Sequence, residues 1–322
     1  MRKYPPRDRG IITLNKLLAQ EKIMISPNRT HERKSFFKYM PASTAEIVLS
    51  NSTLRWSSPF KFNDPFDVPR ELAFDISPKE IQIALVNKLV NLINNPPEDP
   101  RGLDPKVQLV IQALKQNPTE EFKREMIGGL KNEIERNDPA EGGLLAIKQQ
   151  WQDFLPNFRI LCLSEHHDKA SMWYHYADKY SGVVIEVICD DELDSAWLAA
   201  KKVEYPEKKP QVYTAEGWAE LLVKPQGEAV KTILHTCSYT KSPDWSYEDE
   251  WRISSFKREN ETGLVSDYKV SRHEFGNLYL GPHVQAEMRE KLLLLATNYP
   301  NMKVFYTQIG LDREFKFIEI QC

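Results

Sequence analysis

The sequence predicts an α+β chain, a mixed and largely antiparallel β core with a helical block inserted into it. Three observations predict this. Residues 77–155 repeat apolar side chains at helical spacing in four stretches, "SPKEIQIALVNKLVNLI", "KVQLVIQALKQ", "TEEFKREMIGGLKNEIERN" and "GGLLAIKQQWQDFL". From Arg159 onward, short runs of β-branched and aromatic residues take over, among them "FRILCLS", "SGVVIEVI", "YEDEWRISSF" and "KVFYTQIG". One earlier strand, in "TLRWSSP", precedes the block, so strands and helices are mixed rather than strictly alternating.

In chain order, residues 1–34 read as a basic N-terminal extension with one short helix, "LNKLLAQEK", and 35–322 as a single domain. A short helix from Ser43 to Leu49 leads into the strand through Leu54 and Trp56. "KFNDPFD" reads as a structured loop. Asn63, Asp64 and Pro65 are turn formers, and Phe62 and Phe66 are large apolar residues suited to anchor it. Ser77, Pro78 and Glu80 form a capping-box pattern that opens the helical block. "SMWYHYADKY" is a short helix, "AKKVEY" approaches a strand near Tyr205, and "GWAELLVKPQGEAVKTILHTC" is helical. "FGNLYLGP" is a strand ending in a Gly-Pro turn, "EMREKLLLLATNYP" a helix and "FKFIEI" the last strand.

Composition narrows the class. With 322 residues, 41% hydrophobic and 28% charged, the chain has the balance of a globular protein. No apolar run reaches the length of a membrane span, and the N-terminus lacks the apolar core of a secretory signal. Cys162, Cys189, Cys237 and Cys322 lie far apart without paired spacing, which argues against a zinc site and a disulfide framework and makes a reducing cytoplasm the expectation. Residues 1–40 hold ten Lys or Arg against three acids, a surplus of +7 in a chain whose formal charge is −3. Such an arm suits a nucleic acid or an acidic partner, or is a solvated extension.

The stretch "SYEDEWRI" sets Glu248 and Glu250 on one face if it is extended, with Arg252 in line behind them. Adjacent carboxylates on one face belong to a wet edge strand or to a site. Two other polar residues share the pattern of standing on or at the end of a strand in an apolar setting, Arg55 and Ser164. A strand Arg offers a forked cation for phosphates. A strand-end Ser can hold a sugar hydroxyl or orient a carboxylate, and a strand Glu can stabilise positive charge on a ribose carbon. That combination answers the problem of cleaving a nicotinamide–ribose bond, where charge builds as in glycoside hydrolysis.

"TLRWSSPFKFNDPFD", "CLSE", "SMWYHYADKYSGVVIEV" and "YEDEWRI" together resemble the bacterial "domain of unknown function 2971" family, over about residues 36–310. Some members of that family sit among phage-defence or toxin-like genes, which implies such a role. The order Arg, Ser, Glu is also similar to the Arg–Ser–Glu class of ADP-ribosyltransferases, and implies an ADP-ribosyltransferase-like fold and an enzyme that uses NAD as substrate. By that resemblance Arg55 contacts the phosphates or nicotinamide ribose, and Ser164 positions that ribose or Glu250. Glu250 bonds the ribose 2′-hydroxyl and stabilises the oxocarbenium, and Glu248 orients the acceptor. The aromatic residues Trp173, Tyr174 and Tyr176, with His175, would form the nicotinamide site, supported by the Asn63–Asp64 loop. The chain has one Ser in "CLSE" where that class has Ser-Thr-Ser.

Other readings stand beside this one. Arg55 can be a structural Arg paired with Asp64 or Asp67, Ser164 a helix cap, and Asn63 and Asp64 the makers of their own turn. His175 reads as packed on aromatics. His166, His167 and His175 with Cys162 lack the spacing of a metal site, and Cys162 in an apolar strand behaves as a small hydrophobe rather than a nucleophile. The alternatives to the transferase are a nucleotide or nucleic-acid binding module aided by the basic extension, and a metal-dependent nuclease using Asp64, Asp67, Glu248 and Glu250.

Overall fold

The computed structural model describes residues 25–64, 66–72, 76–136, 139–208 and 210–320. The strands are β1 (Ser35–Met40), β2 (Thr53–Ser57), β3 (Phe158–Ser164), β4 (Val183–Ile188), β5 (Lys201–Lys202), β6 (Glu250–Phe256), β7 (Val265–Lys269), β8 (Phe275–Leu280), β9 (Val304–Ile309) and β10 (Phe315–Ile320). The helices are α1 (Ala42–Asn51), α2 (Pro78–Asn94), α3 (Pro105–Gln116), α4 (Glu120–Arg136), α5 (Pro139–Phe154), α6 (Ala170–Tyr176), α7 (Ala215–Leu222), α8 (Gln226–Tyr239) and α9 (Ala286–Ala296). The helical block stands where its periodicity places it. Ser77 Oγ accepts from the Glu80 backbone N–H while the Glu80 carboxylate accepts from the Ser77 N–H, closing the capping box.

The strands form one 10-stranded sheet in the order β10-β9-β8-β4-β1-β3-β2-β7, with β6 along β3 and β5 along β6. Every pairing is antiparallel except β8 with β9. One edge of β3 pairs with β6 from Phe158 to Ser164. Its other edge is shared. Ser57 of β2 lies opposite Ile160, and Phe37 of β1 lies opposite Ser164. The two strands joined by α1 therefore part over β3, leaving the Cys162 backbone between them. A backbone carbonyl in such a gap needs a donor, and Lys38 Nζ supplies it at 2.8 Å.

Alternation along β3 divides its side chains. Leu161 and Leu163 join a core with Phe36, Leu54, Ile253 and the β4 residues Val183, Ile185 and Val187, roofed by α1 and α9 through Val48, Leu49 and Leu292. Ile160 faces the opposite side, into a core made by the helices through Ile81, Trp151, Trp218 and Ile233. A third cluster, Tyr39, Met172, Trp173, Val184 and Tyr279, covers the same side further along the sheet. Between these two clusters the sheet face is polar, and it carries Cys162, Ser164, Glu250 and Arg252. Gly182 lets α6 turn tightly onto β4, because a Cβ there would collide with the Met40 carbonyl.

The structure departs from the sequence reading in several places. β1 and the short edge strand β7 were not expected. The stretch "GWAELLVKPQGEAVKTILHTC", expected to be helical, is so as two helices parted at Pro225. Phe66 does not anchor its loop: it is 87% exposed. Part of the segment read as the N-terminal extension packs on the domain. Arg29 pairs with Asp191 at 2.6 Å and His31 Nε2 meets the Trp197 carbonyl at 2.8 Å, so this segment is tied to the domain. Residues 1–24, with the expected "LNKLLAQEK" helix and most of the basic surplus, lie outside the described residues.

Candidate active site

The order of elements brings Arg55 of β2, Ser164 of β3 and Glu248 and Glu250 before and in β6 onto the walls of one cleft of about 220 Å³. Lys38, Lys61, Phe62, Asn63, Asp64 and Asp67 line it as well. Glu248 and Glu250 share the cleft for a reason other than strand alternation. Pro243–Glu248 is a 3₁₀ turn capped by Ser242, and Asp249 takes a left-handed conformation at φ 42° before β6 begins at Glu250. Asp tolerates that conformation better than most residues. Alternation does hold for Glu250 and Arg252, which both lie in the strand.

The site's floor is a buried charge network. Arg252, fully buried, donates from Nε to Glu250 Oε1 at 2.8 Å. Its Nη2 bridges Glu250 Oε2 at 2.9 Å and Asp67 Oδ2 at 2.7 Å. Lys241 Nζ lies 2.6 Å from Glu248, 3.4 Å from Glu250 and 3.7 Å from Asp67, beneath the Trp245 ring at 4.7 Å. Tyr176 donates to Glu248 Oε1 at 2.6 Å. Ser164 Oγ donates to the Glu248 carbonyl at 2.7 Å and Tyr205 accepts from the Glu250 N–H at 3.1 Å, which fixes the backbone on both sides of Asp249.

Three carboxylates against two cations leave one negative charge in excess, and a dry site resists that excess. Burial, with the neighbouring Glu250 charge, pushes the Glu248 carboxyl up to about 7 despite Lys241 and Tyr176. Burial also raises Asp67. For Glu250 burial acts in the same direction but is outweighed by Arg252 and Lys241, which hold it down to about 2. Burial and the Glu248 charge keep the Tyr176 hydroxyl protonated, so it remains a donor. Two glutamates two residues apart thus have different states, one ionised and one poised near neutrality. Such separation is how acid and base roles are assigned to a carboxylate pair.

Several expectations for the site are corrected. Arg55 pairs with neither Asp64 nor Asp67. It is half exposed and holds Asp267 of β7 through two bonds of 2.9 Å. Of the aromatic residues expected to receive nicotinamide, Tyr176 alone among Trp173, Tyr174, His175 and Tyr176 lines the cleft. On a helix Met172 and Tyr176 share a face, and that face looks into the cleft. Trp173 is fully buried in the aromatic cluster, donating to the His167 carbonyl at 2.8 Å, while Tyr174 and His175 are exposed. Asp64 makes its own turn, accepting from the Phe66 N–H at 2.8 Å. Ser164 caps no helix.

Lys241, Tyr205, Trp245 and the network role of Asp67 were not legible as site residues. A single lysine seven residues ahead of "EDE" was the available signal. The carboxylates Asp67, Glu248 and Glu250 do not offer themselves to a divalent ion, because Lys241 and Arg252 already stand between them. Among the described residues no group of three or more His, Cys, Asp or Glu is placed to hold a metal. Burial and the Glu250 charge push the Cys162 thiol up, out of the range of a nucleophilic thiolate.

No curated protein and no solved structure matches the chain. Residues 172–253, which contain Tyr176, Lys241, Glu248, Glu250 and Arg252, match the model of a family described as a protein of unknown function, DUF2971, and over that stretch the chain resembles that family.

Proposed function

We propose that the cleft binds NAD and acts at its nicotinamide–ribose bond, as an ADP-ribosyltransferase-like enzyme that passes ADP-ribose to an acceptor or to water. The observation that carries this reading is the convergence of Arg55, Ser164, Glu248 and Glu250, from separate stretches of sequence, on one cleft. The different ionisation of the two glutamates supports it. The bond between the nicotinamide nitrogen and ribose C1′ breaks, and its electron pair leaves with nicotinamide. Glu250, ionised and held by Arg252, faces the positive charge that develops on the ribose. Glu248 takes the proton of the incoming hydroxyl, amine or water as its oxygen or nitrogen bonds C1′. Lys38, Lys61 and Arg55 offer cations on the cleft wall to the pyrophosphate.

The test is transfer of label from adenine-labelled NAD, without added metal, in the presence of a cell lysate. Labelled macromolecule or free ADP-ribose that forms with the wild type and not with Glu250→Gln is the expected result. Intact NAD in both reactions, with no binding of NAD to the protein, would overturn the proposal.

A further inference from the structure

The cleft lining holds two carboxylate oxygens without donors, one of them on Asp67, a member of the charge network. Asp67 Oδ1 and Asp64 Oδ2 are buried and have no hydrogen-bond partner among the described residues. Asp67 is 8% exposed, and both residues line the cleft. A buried acceptor left unpaired is costly and uncommon in native structures. What Asp67 lacks is a donor rather than a counter-charge. Its other oxygen already receives Arg252 at 2.7 Å, with Lys241 at 3.7 Å. A neutral ligand with hydroxyl donors completes it better than a further cation.

The segment is built to hold this arrangement. Asp64 fixes the turn through the Phe66 N–H at 2.8 Å, and Arg70 donates to the Phe62 carbonyl at 3.1 Å. The Arg252 guanidinium lies over the Phe62 ring at 5.6 Å. The same Arg252 nitrogen joins Asp67 to Glu250, so Asp67 stands beside the carboxylate assigned to the reacting sugar.

We propose that Asp67 and Asp64 form a sugar-recognition subsite that accepts hydrogen bonds from the vicinal hydroxyls of the ribose bearing the scissile bond. The inference rests on the cleft being the NAD site, and it assigns to the "NDPFD" loop direct substrate binding in place of a supporting role.

Calorimetric titration tests it with two probes, NAD and a nicotinamide dinucleotide lacking the 2′ and 3′ hydroxyls of its nicotinamide ribose. The variants are Asp67→Asn and Asp64→Asn. In each, the amide oxygen can keep the existing bond while an NH₂ replaces the unpaired oxygen. NAD should bind each variant roughly ten- to a hundred-fold more weakly, the usual loss for a hydrogen bond to a charged group. The deoxygenated probe should bind the wild type and both variants alike. Unchanged NAD affinity in the variants would overturn the subsite while leaving the NAD reading standing. So would equal affinity of the wild type for both probes, or NAD binding that requires added magnesium. Failure of the wild type to bind NAD would sink both. Should Asp67→Asn fail to fold, Asp64→Asn, outside the ion network, decides the matter.

Discussion

Lys241→Met gives the sharpest test of the buried network. The side chain is 4% exposed and contacts three carboxylates, of which Glu248 at 2.6 Å is nearest. Methionine fills similar space but leaves Asp67 and Glu250 with Arg252, and Glu248 with the Tyr176 hydroxyl and no cation. Removing one partner of a buried ionic group costs about 3–5 kcal/mol. The cost must depend on pH. The Glu248 carboxyl already rises from 4.5 to about 7 in the folded protein, a shift equivalent to about 3 kcal/mol. A raised carboxyl binds its proton more tightly in the folded state. Its contribution to stability is therefore complete below 4.5 and is lost as pH climbs through 7. Without Lys241 that loss grows and extends to higher pH. Urea unfolding followed by tryptophan fluorescence should show about 3–5 kcal/mol lost near pH 8, and clearly less near pH 5.5, where Glu248 is protonated. An equal loss at both pH values, or less than about 1 kcal/mol at pH 8, would refute the network reasoning.

Other expectations follow from the same geometry. Turnover of NAD by the wild type should rise with pH through about 7, as Glu248 ionises to act as base; Glu248→Gln should flatten that profile at a low rate, and an unchanged profile would remove Glu248 from the proton transfer. Tyr176→Phe deletes the hydrogen bond that favours ionised Glu248, so the midpoint of the same profile should move to higher pH; a shift to lower pH would contradict the assignment. Arg55→Ala breaks an exposed pair, so thermal stability should change by less than about 1 kcal/mol, while KM for NAD rises; an unaltered KM would confine Arg55 to pairing with Asp267.

Much of the site was legible because its residues stand on strongly patterned elements. The strand of "FRILCLS" sets the parity that puts Ser164 and Cys162 on the polar face, and the capping box at Ser77 fixes where the helical block begins. What was hidden depended on long-range meetings. Asp67 and Arg252 are 185 residues apart, and nothing local in either segment announces the other. Asp267 was missed with its strand: "VSDYK" is short, charged and at the sheet edge, where hydrophobic alternation is weakest. The left-handed Asp249 shows a different limit. An Asp in a run of β-formers reads as one more strand residue, yet its tolerance of positive φ turns the chain so that both glutamates reach the cleft. On α6 the periodicity was readable but the face was not. Choosing Tyr176 over Trp173 required knowing which side the sheet lay on.

The most direct measurement is nicotinamide release from NAD by the purified protein, with Glu250→Gln beside it and circular dichroism to confirm that both are folded. Release by the wild type that vanishes in the folded variant is the expected result. Release at the same rate from both proteins, or from neither, would contradict the assignment of the cleft to glycosidic chemistry on NAD.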